Sequence, residues 1–258
     1  MSRAKDGPEL NLLRYFRDSL IGRNAKGIVH NMNSPLQVLS MQIELLGMDL
    51  NLLASIQCEN SQISSGIQQA IDRLGQLEEI VAKINHLVKL VGSRVTDDQQ
   101  DDEEGPIMVA HLLEETVEFW RSDLFFKHKV ALDFSVPKVS PVVVSKERYL
   151  KDALDSVLFA CIQVLKSSHE PSLRISVACE PESSLSITFK PIGADFPLEK
   201  ISDLASFIEG GSSLSRSASS FSPLDLSLAV AKMSIEKISG DFHLDEQFIR
   251  IGLNTAAQ

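Results

Sequence analysis

The chain has 258 residues and a formal net charge of −10, with 35 acidic against 25 basic side chains. Its pI near 5.1 denies it the basic face by which nucleic-acid binders displace counterions from phosphates, so no nucleic-acid partner is expected. A hydrophobic content of 43% can fill a real core. No apolar run is long enough to span a bilayer, the N-terminus lacks the basic-then-apolar pattern of a signal peptide, and Cys58, Cys161 and Cys179 lie too scattered for a zinc site or a disulfide framework. The expectation is a cytoplasmic protein with no membrane insertion.

Residues 8–55 read as one long helix. Ile21, Ala25, Ile28, Met32, Leu36, Leu39, Ile43, Leu46, Leu50 and Leu53 recur in steps of three and four, the spacing of a heptad seam. Residues 60–92 repeat the pattern through Ile67, Ala70, Leu74, Leu77, Val81, Ile84, Val88 and Val91. The polar stretch from Cys58 to Gln62 can turn one helix back on the other. A single hairpin buries little. Further apolar residues beside the seam (Val29, Val38, Met41, Leu45, Met48, Leu52) widen the stripe, so two hairpins pairing into a homodimeric four-helix bundle is the expected arrangement. Docking of the stripe onto the second half of the same chain is the alternative.

Residues 97–104 carry six acids in eight positions, and Gly105 and Pro106 follow. Like charges at that density repel, so residues 96–106 read as a solvated linker between a domain of 1–95 and one of 107–258. Beyond it, 109–127 suggests a helix with Leu112, Leu113, Val117, Trp120 and Leu124 on one side. Strands are expected at Val130–Val136, Pro141–Val144, Leu173–Cys179, Leu185–Lys190 and Phe242–Ile251, and helices at 146–167 and 224–239. The fold class is therefore α+β: a helical hairpin, then an α/β sandwich with helices on one face of a sheet. Gly210–Ser222, with seven serines from Ser212 onward, reads as a loop.

The segment that carries chemistry is Gly27-Ile28-Val29-His30-Asn31-Met32-Asn33-Ser34-Pro35-Leu36. His30 is two positions from both Ile28 and Met32, far round the helix from the seam. A solvent-facing imidazole nitrogen is a competent nucleophile toward phosphorus. Pro35 removes the backbone hydrogen bond to the Asn31 carbonyl and is expected to loosen the helix beside His30.

His-x-x-x-Ser-Pro-Leu at the start of a long seamed helix resembles the phosphoacceptor box of two-component sensor histidine kinases. His30, Ser34, Pro35 and Leu36 match. Asn31 replaces the acid usual after the histidine and is a weaker proton acceptor. The resemblance implies that the hairpin is the dimerisation and phosphotransfer domain, with His30, Asn31 and Ser34 as the catalytic set. It also implies a receiver-docking surface just beyond, at Gln37, Met41 and Gln42. A Thr or Asn usually stands where Ser34 does and orients water for phosphatase activity, for which Ser34 is a poorer match.

The second domain resembles the family's ATP-binding domain in the order and flanks of three runs. Where the family has its asparagine box, this chain has Ser156-Val157-Leu158-Phe159-Ala160-Cys161, with Ser156 and Ala160 in place of the asparagines; Ala160 offers no oxygen to a cation. Where the family has Asp-x-Gly-x-Gly, this chain has Pro191-Ile192-Gly193-Ala194-Asp195. Proline replaces the adenine-binding aspartate, and Asp195 replaces the second glycine. Where the family has its last glycine-rich box, the chain has Pro223-Leu224-Asp225-Leu226-Ser227-Leu228, its glycines replaced by Pro223, Asp225 and Ser227. Apolar positions match and nucleotide-contacting ones do not. The resemblance is thus nearest to histidine phosphotransferases with a vestigial kinase domain. It implies no ATP and no metal of the chain's own, response-regulator receiver domains as partners, and magnesium supplied by the receiver. A divergent but active kinase and a non-catalytic dimeric scaffold are the alternatives. The remaining histidines (His86, His111, His128, His169, His243) show no ligand spacing.

Overall fold

The structure is a computed structural model and describes residues 8–55, 60–95, 103–137, 142–180, 184–198 and 222–254. Most of the acidic run, the connection at 56–59 and the serine-rich loop before Ser222 lie outside the described residues. Two compact units are present: Arg23–Thr96, and a second that joins Met1–Gly22 to Asp97–Gln258. The first turns of the long helix, expected within the hairpin, thus group with the C-terminal part of the chain.

In the first unit, α1 (Pro8–Ser55) and α2 (Asn60–Val95) form the hairpin. α1 begins in the other unit and continues through Pro35 without a break. Arg73 pairs with Asp49 across the hairpin at 2.5 Å. The heptad seam divides in two. Met32, Leu39 and Leu46, one residue per heptad, are half-buried, as are Ala70, Leu77, Ile84 and Val91 on α2. The other half of the seam is bare: Leu36, Ile43 and Leu50, with Ile67, Leu74, Val81 and Val88, are between 41% and 56% exposed. Val29, Val38, Met41, Met48 and Leu52 are exposed beside them.

The second unit is built on a five-stranded sheet. Its strands are β2 (Ala131–Ser135), β4 (Ser172–Glu180), β5 (Ser184–Ile192), β6 (Asp241–Leu244) and β7 (Ile249–Asn254), in the order β2-β4-β5-β7-β6. Among the described residues only the β2–β4 pair is parallel. Alternation sets the core face: Leu173, Ile175 and Val177, Leu185, Ile187 and Phe189, and Ile249, Ile251 and Leu253 are all buried. They stand in register, Ile175 opposite Phe189 and Phe189 opposite Ile249. Between them, Arg174, Lys190 and Arg250 point to the other face and are not buried.

Helices α3 (Val109–Trp120), α5 (Glu147–Leu165) and α6 (Pro223–Glu236) complete the core. α5 packs on α6, on α3 and on β5, and almost all of its residues are buried. The helix expected over 109–127 is two helices. Asp123 accepts hydrogen bonds from the Phe125 and Phe126 N–H groups and starts the short α4 (Leu124–Lys129) afresh. The strand expected over Phe242–Ile251 is two strands, β6 and β7, because Asp245 turns the chain by accepting from Gln247 N–H and bonding Phe248 through the backbone. A further strand, β1 (Gly105–Met108), pairs antiparallel with β3 (Val142–Ser145) and begins inside the segment expected as linker. The core of this unit thus follows the expected α+β plan of a sheet with helices.

Candidate functional site

His30 lies on α1 with its side chain exposed, and Ser34, one turn on, is exposed as well. Asn31 is half-buried, three positions after buried Ile28. Gln37 and Met41 face solvent. Gln42 does not, contrary to expectation: it shares the half-buried column of Leu39 and Leu46, and its Oε1 is buried with no hydrogen-bond partner. The bare half of the seam starts beside this set, at Val29 and Leu36.

Two of the three runs of the second unit meet: Asp195 of the second and Pro223 and Leu224 of the third line one cavity, with Gln163, Val164 and Ser167 from beyond the first run. Ser156 and Ala160 are buried in α5, and the Ser156 hydroxyl donates to the Asp152 carbonyl at 2.6 Å. Pro191 is a buried strand residue opposite Leu173. Gly193 has φ +86°, and a Cβ there would lie 2.6 Å from Ser168 Oγ. That position therefore keeps glycine for the turn and for the close approach. Asp195 is exposed.

The start of α6 is closed on itself. Ser222 caps it: its Oγ accepts from Asp225 N–H at 3.2 Å, while Asp225 Oδ2 accepts from the Ser222 N–H at 2.9 Å and from the Ser222 hydroxyl at 2.7 Å. Pro223 has no N–H to offer, and the Leu226 N–H bonds the Ser222 carbonyl. The Ser227 hydroxyl is turned back to the Leu224 carbonyl at 2.7 Å. Of the donors that ordinarily make a helix N-terminus attract anions, most are engaged, and a carboxylate sits among them. A cavity of about 360 Å³ opens here, lined by Gln163, Ser167, Asp195, Ser222, Pro223 and Leu224 among others. Gln163 Nε2 is buried without a hydrogen-bond partner, and nothing in its local sequence marked it for this place.

Among the described residues no three His, Cys, Asp or Glu side chains group as a metal ion would need. No described helix is long and apolar enough to cross a membrane.

No family model matches the sequence, and no curated protein matches it. Solved structures do. The catalytic domain of histidine kinase ThkA is 12% identical with a TM-score of 0.46, over 59% of this chain and 95% of that one. The mycobacterial sensor histidine kinase MprB is 14% identical with a TM-score of 0.45, over 60% and 99%. The Acinetobacter baumannii histidine kinase AdeS is 13% identical with a TM-score of 0.41, over 88% and 98%.

Proposed function

We propose that this chain is a two-component phosphorelay protein that carries phosphate on His30 and exchanges it with receiver-domain aspartates. The observation that carries this reading is the exposure of His30 in a box where Ser34, Pro35 and Leu36 follow it. In the transfer, an imidazole nitrogen of His30 attacks the phosphorus of an aspartyl phosphate. The P–N bond forms as the acyl P–O bond breaks, and the aspartate leaves as a carboxylate. The reverse step returns the phosphoryl group to another receiver. The receiver supplies magnesium, so the chain needs no cation site. Met41 and Gln37 extend the exposed surface for docking, and Ser34 and Asn31 flank the reacting ring.

The second unit does not fit a nucleotide. A triphosphate would meet Asp195, the Asp225 carboxylate in the α6 cap and a proline in place of a donor, and Ser156 has its hydroxyl engaged within α5. In this reading the unit keeps a kinase-like layout without ATP chemistry. The bare half of the seam on both helices supports a homodimer, because two hairpins facing each other cover it.

The test is to incubate the protein with receivers carrying labelled aspartyl phosphate. Label moves to wild type and not to His30→Ala. Label on neither makes the chain a docking scaffold, and label on both places the acceptor elsewhere. The cavity beside α6 favours one second reading, a divergent kinase. Calorimetric titration with Mg-ATP separates the two, since micromolar binding would sink the relay without nucleotide.

A further inference from the structure

Leu13, Phe16 and Leu20 recur at helical steps on one face of α1 and are buried. Tyr15, beside Phe16, is 76% exposed. The Phe16 ring stands edge-on to Phe159 of α5, with centroids 5.9 Å apart and planes at 78°. The next residue forks onto the same helix: Arg17 Nε donates to Asp152 Oδ1 at 2.8 Å and Nη2 to Oδ2 at 2.6 Å. Asp152 and Phe159 are two turns apart on α5, hence on one face. Phe159 in turn meets Trp120 of α3 at 6.0 Å, and Trp120 Nε1 donates to Asp155 at 2.9 Å.

Two adjacent side chains of α1 thus fill a two-point site on α5. Aromatic contact supplies attraction. The ion pair supplies register more than strength, because both charges leave water to form it. Consistent with that cost, burial pushes the Asp152 carboxyl above its ordinary range, and Arg17 draws it only part of the way back. The result is a contact specific in geometry, with Leu13, Phe16, Leu20 and Asp152 all buried. Past Gly22 the same helix belongs to the other unit and carries His30.

We propose that Phe16 and Arg17 form a reversible clasp on Asp152 and Phe159, so that α5 is a docking site for a helix bearing adjacent Phe and Arg, filled here by the chain's own α1. Release bares the Asp152–Phe159 face and leaves the sheet intact. The clasp therefore links the state of the helix that carries His30 to the second unit without any ligand.

Trp120 is the single tryptophan of the chain and touches the clasp through Phe159, so it reports release directly. The experiment uses the full chain as wild type, Phe16→Ala, Arg17→Ala, Arg17→Lys and Tyr15→Ala. Acrylamide quenching of Trp120 and amide hydrogen exchange are read together. Phe16→Ala and Arg17→Ala are expected to raise quenching and to speed exchange over Arg148–Phe159 about tenfold, with β4, β5 and β7 still protected. Arg17→Lys falls between, and Tyr15→Ala matches wild type. Unchanged quenching and exchange in both alanine variants overturns the clasp. So does loss of protection throughout the sheet, which would make α1's first turns a fixed part of the fold. No phosphoryl transfer is read, so the clasp stands or falls apart from the role of His30.

Discussion

Asp225 reaches back one turn of α6 to Ser222, accepting from its N–H at 2.9 Å and its hydroxyl at 2.7 Å, so a carboxylate occupies the helix end where a phosphate would otherwise find free donors. The consequence for binding is direct. Titration calorimetry with Mg-ATP is expected to show no micromolar association. Asp225→Ala does not restore it, because Pro223 still lacks an N–H and Asp195 still faces the cavity. The same variant loses the cap at a cost of about 1 kcal/mol, read as a lower urea midpoint.

Gly193 gives a second, independent prediction. With φ at +86° and Ser168 Oγ in the way, Gly193→Ala meets both a backbone and a steric penalty, together about 1–2 kcal/mol or more. Adding Ser168→Ala removes the contact and leaves the backbone term. Urea unfolding of the double variant should therefore recover only part of the loss. Full recovery would mean the turn tolerates a side chain, and that this position in the second run is kept for some other reason.

The long-range order of this molecule was less legible than its local order. Helices α1, α2, α5 and α6 and the strands β2, β4 and β5 follow from periodicity that a reader of the sequence can see. What periodicity hides is which half of a seam is covered: Leu39 and Ile43 are the same kind of residue, and only the fold makes one half-buried and the other bare. Small turn signals were overrun. Asp123 splits one expected helix by capping a new one, and Asp245 splits one expected strand. Strand β1 escaped because Gly105 and Pro106 are poor strand formers that follow a run of acids; it exists only as the partner of β3. Of the candidate site, the exposure of His30 was readable from the helix alone. The half-buried placing of Gln42 was not, and neither was the contact of Arg17 with Asp152, 135 positions away.

The bare column on the hairpin predicts a dimer that single charges break. Ile43→Asp and Leu74→Asp fall on exposed positions, so the inner column of Met32, Leu39 and Leu46 stays as it is. Each apolar side chain removed from a buried interface forfeits about 1.5–3 kcal/mol, and a twofold interface loses it twice. Sedimentation equilibrium should find twice the 28.4 kDa chain mass for wild type and the chain mass for the double variant, with helix content by circular dichroism unchanged. A wild-type monomer would instead leave the column to another partner.

The clasp has a pH signature whose sign follows from Asp152. Its carboxyl is raised in the folded protein, first by burial, with Arg17 pulling the other way. The folded state then holds a proton at Asp152 that the unfolded chain has released, so this residue contributes less stability as pH rises from the ordinary carboxylate range through the raised value. Acidification from neutral pH should accordingly strengthen wild type relative to Asp152→Asn, which has no such group to titrate. Arg17→Ala removes the one cation that forks onto Asp152 and so pushes the carboxyl further up, making the wild-type trend steeper and extending it toward neutral pH. Urea unfolding followed by Trp120 fluorescence across pH 4 to 8 reads all three. Stability of wild type falling relative to Asp152→Asn on acidification would mean that the bidentate attraction to Arg17 outweighs burial, and the clasp would then be a strong contact.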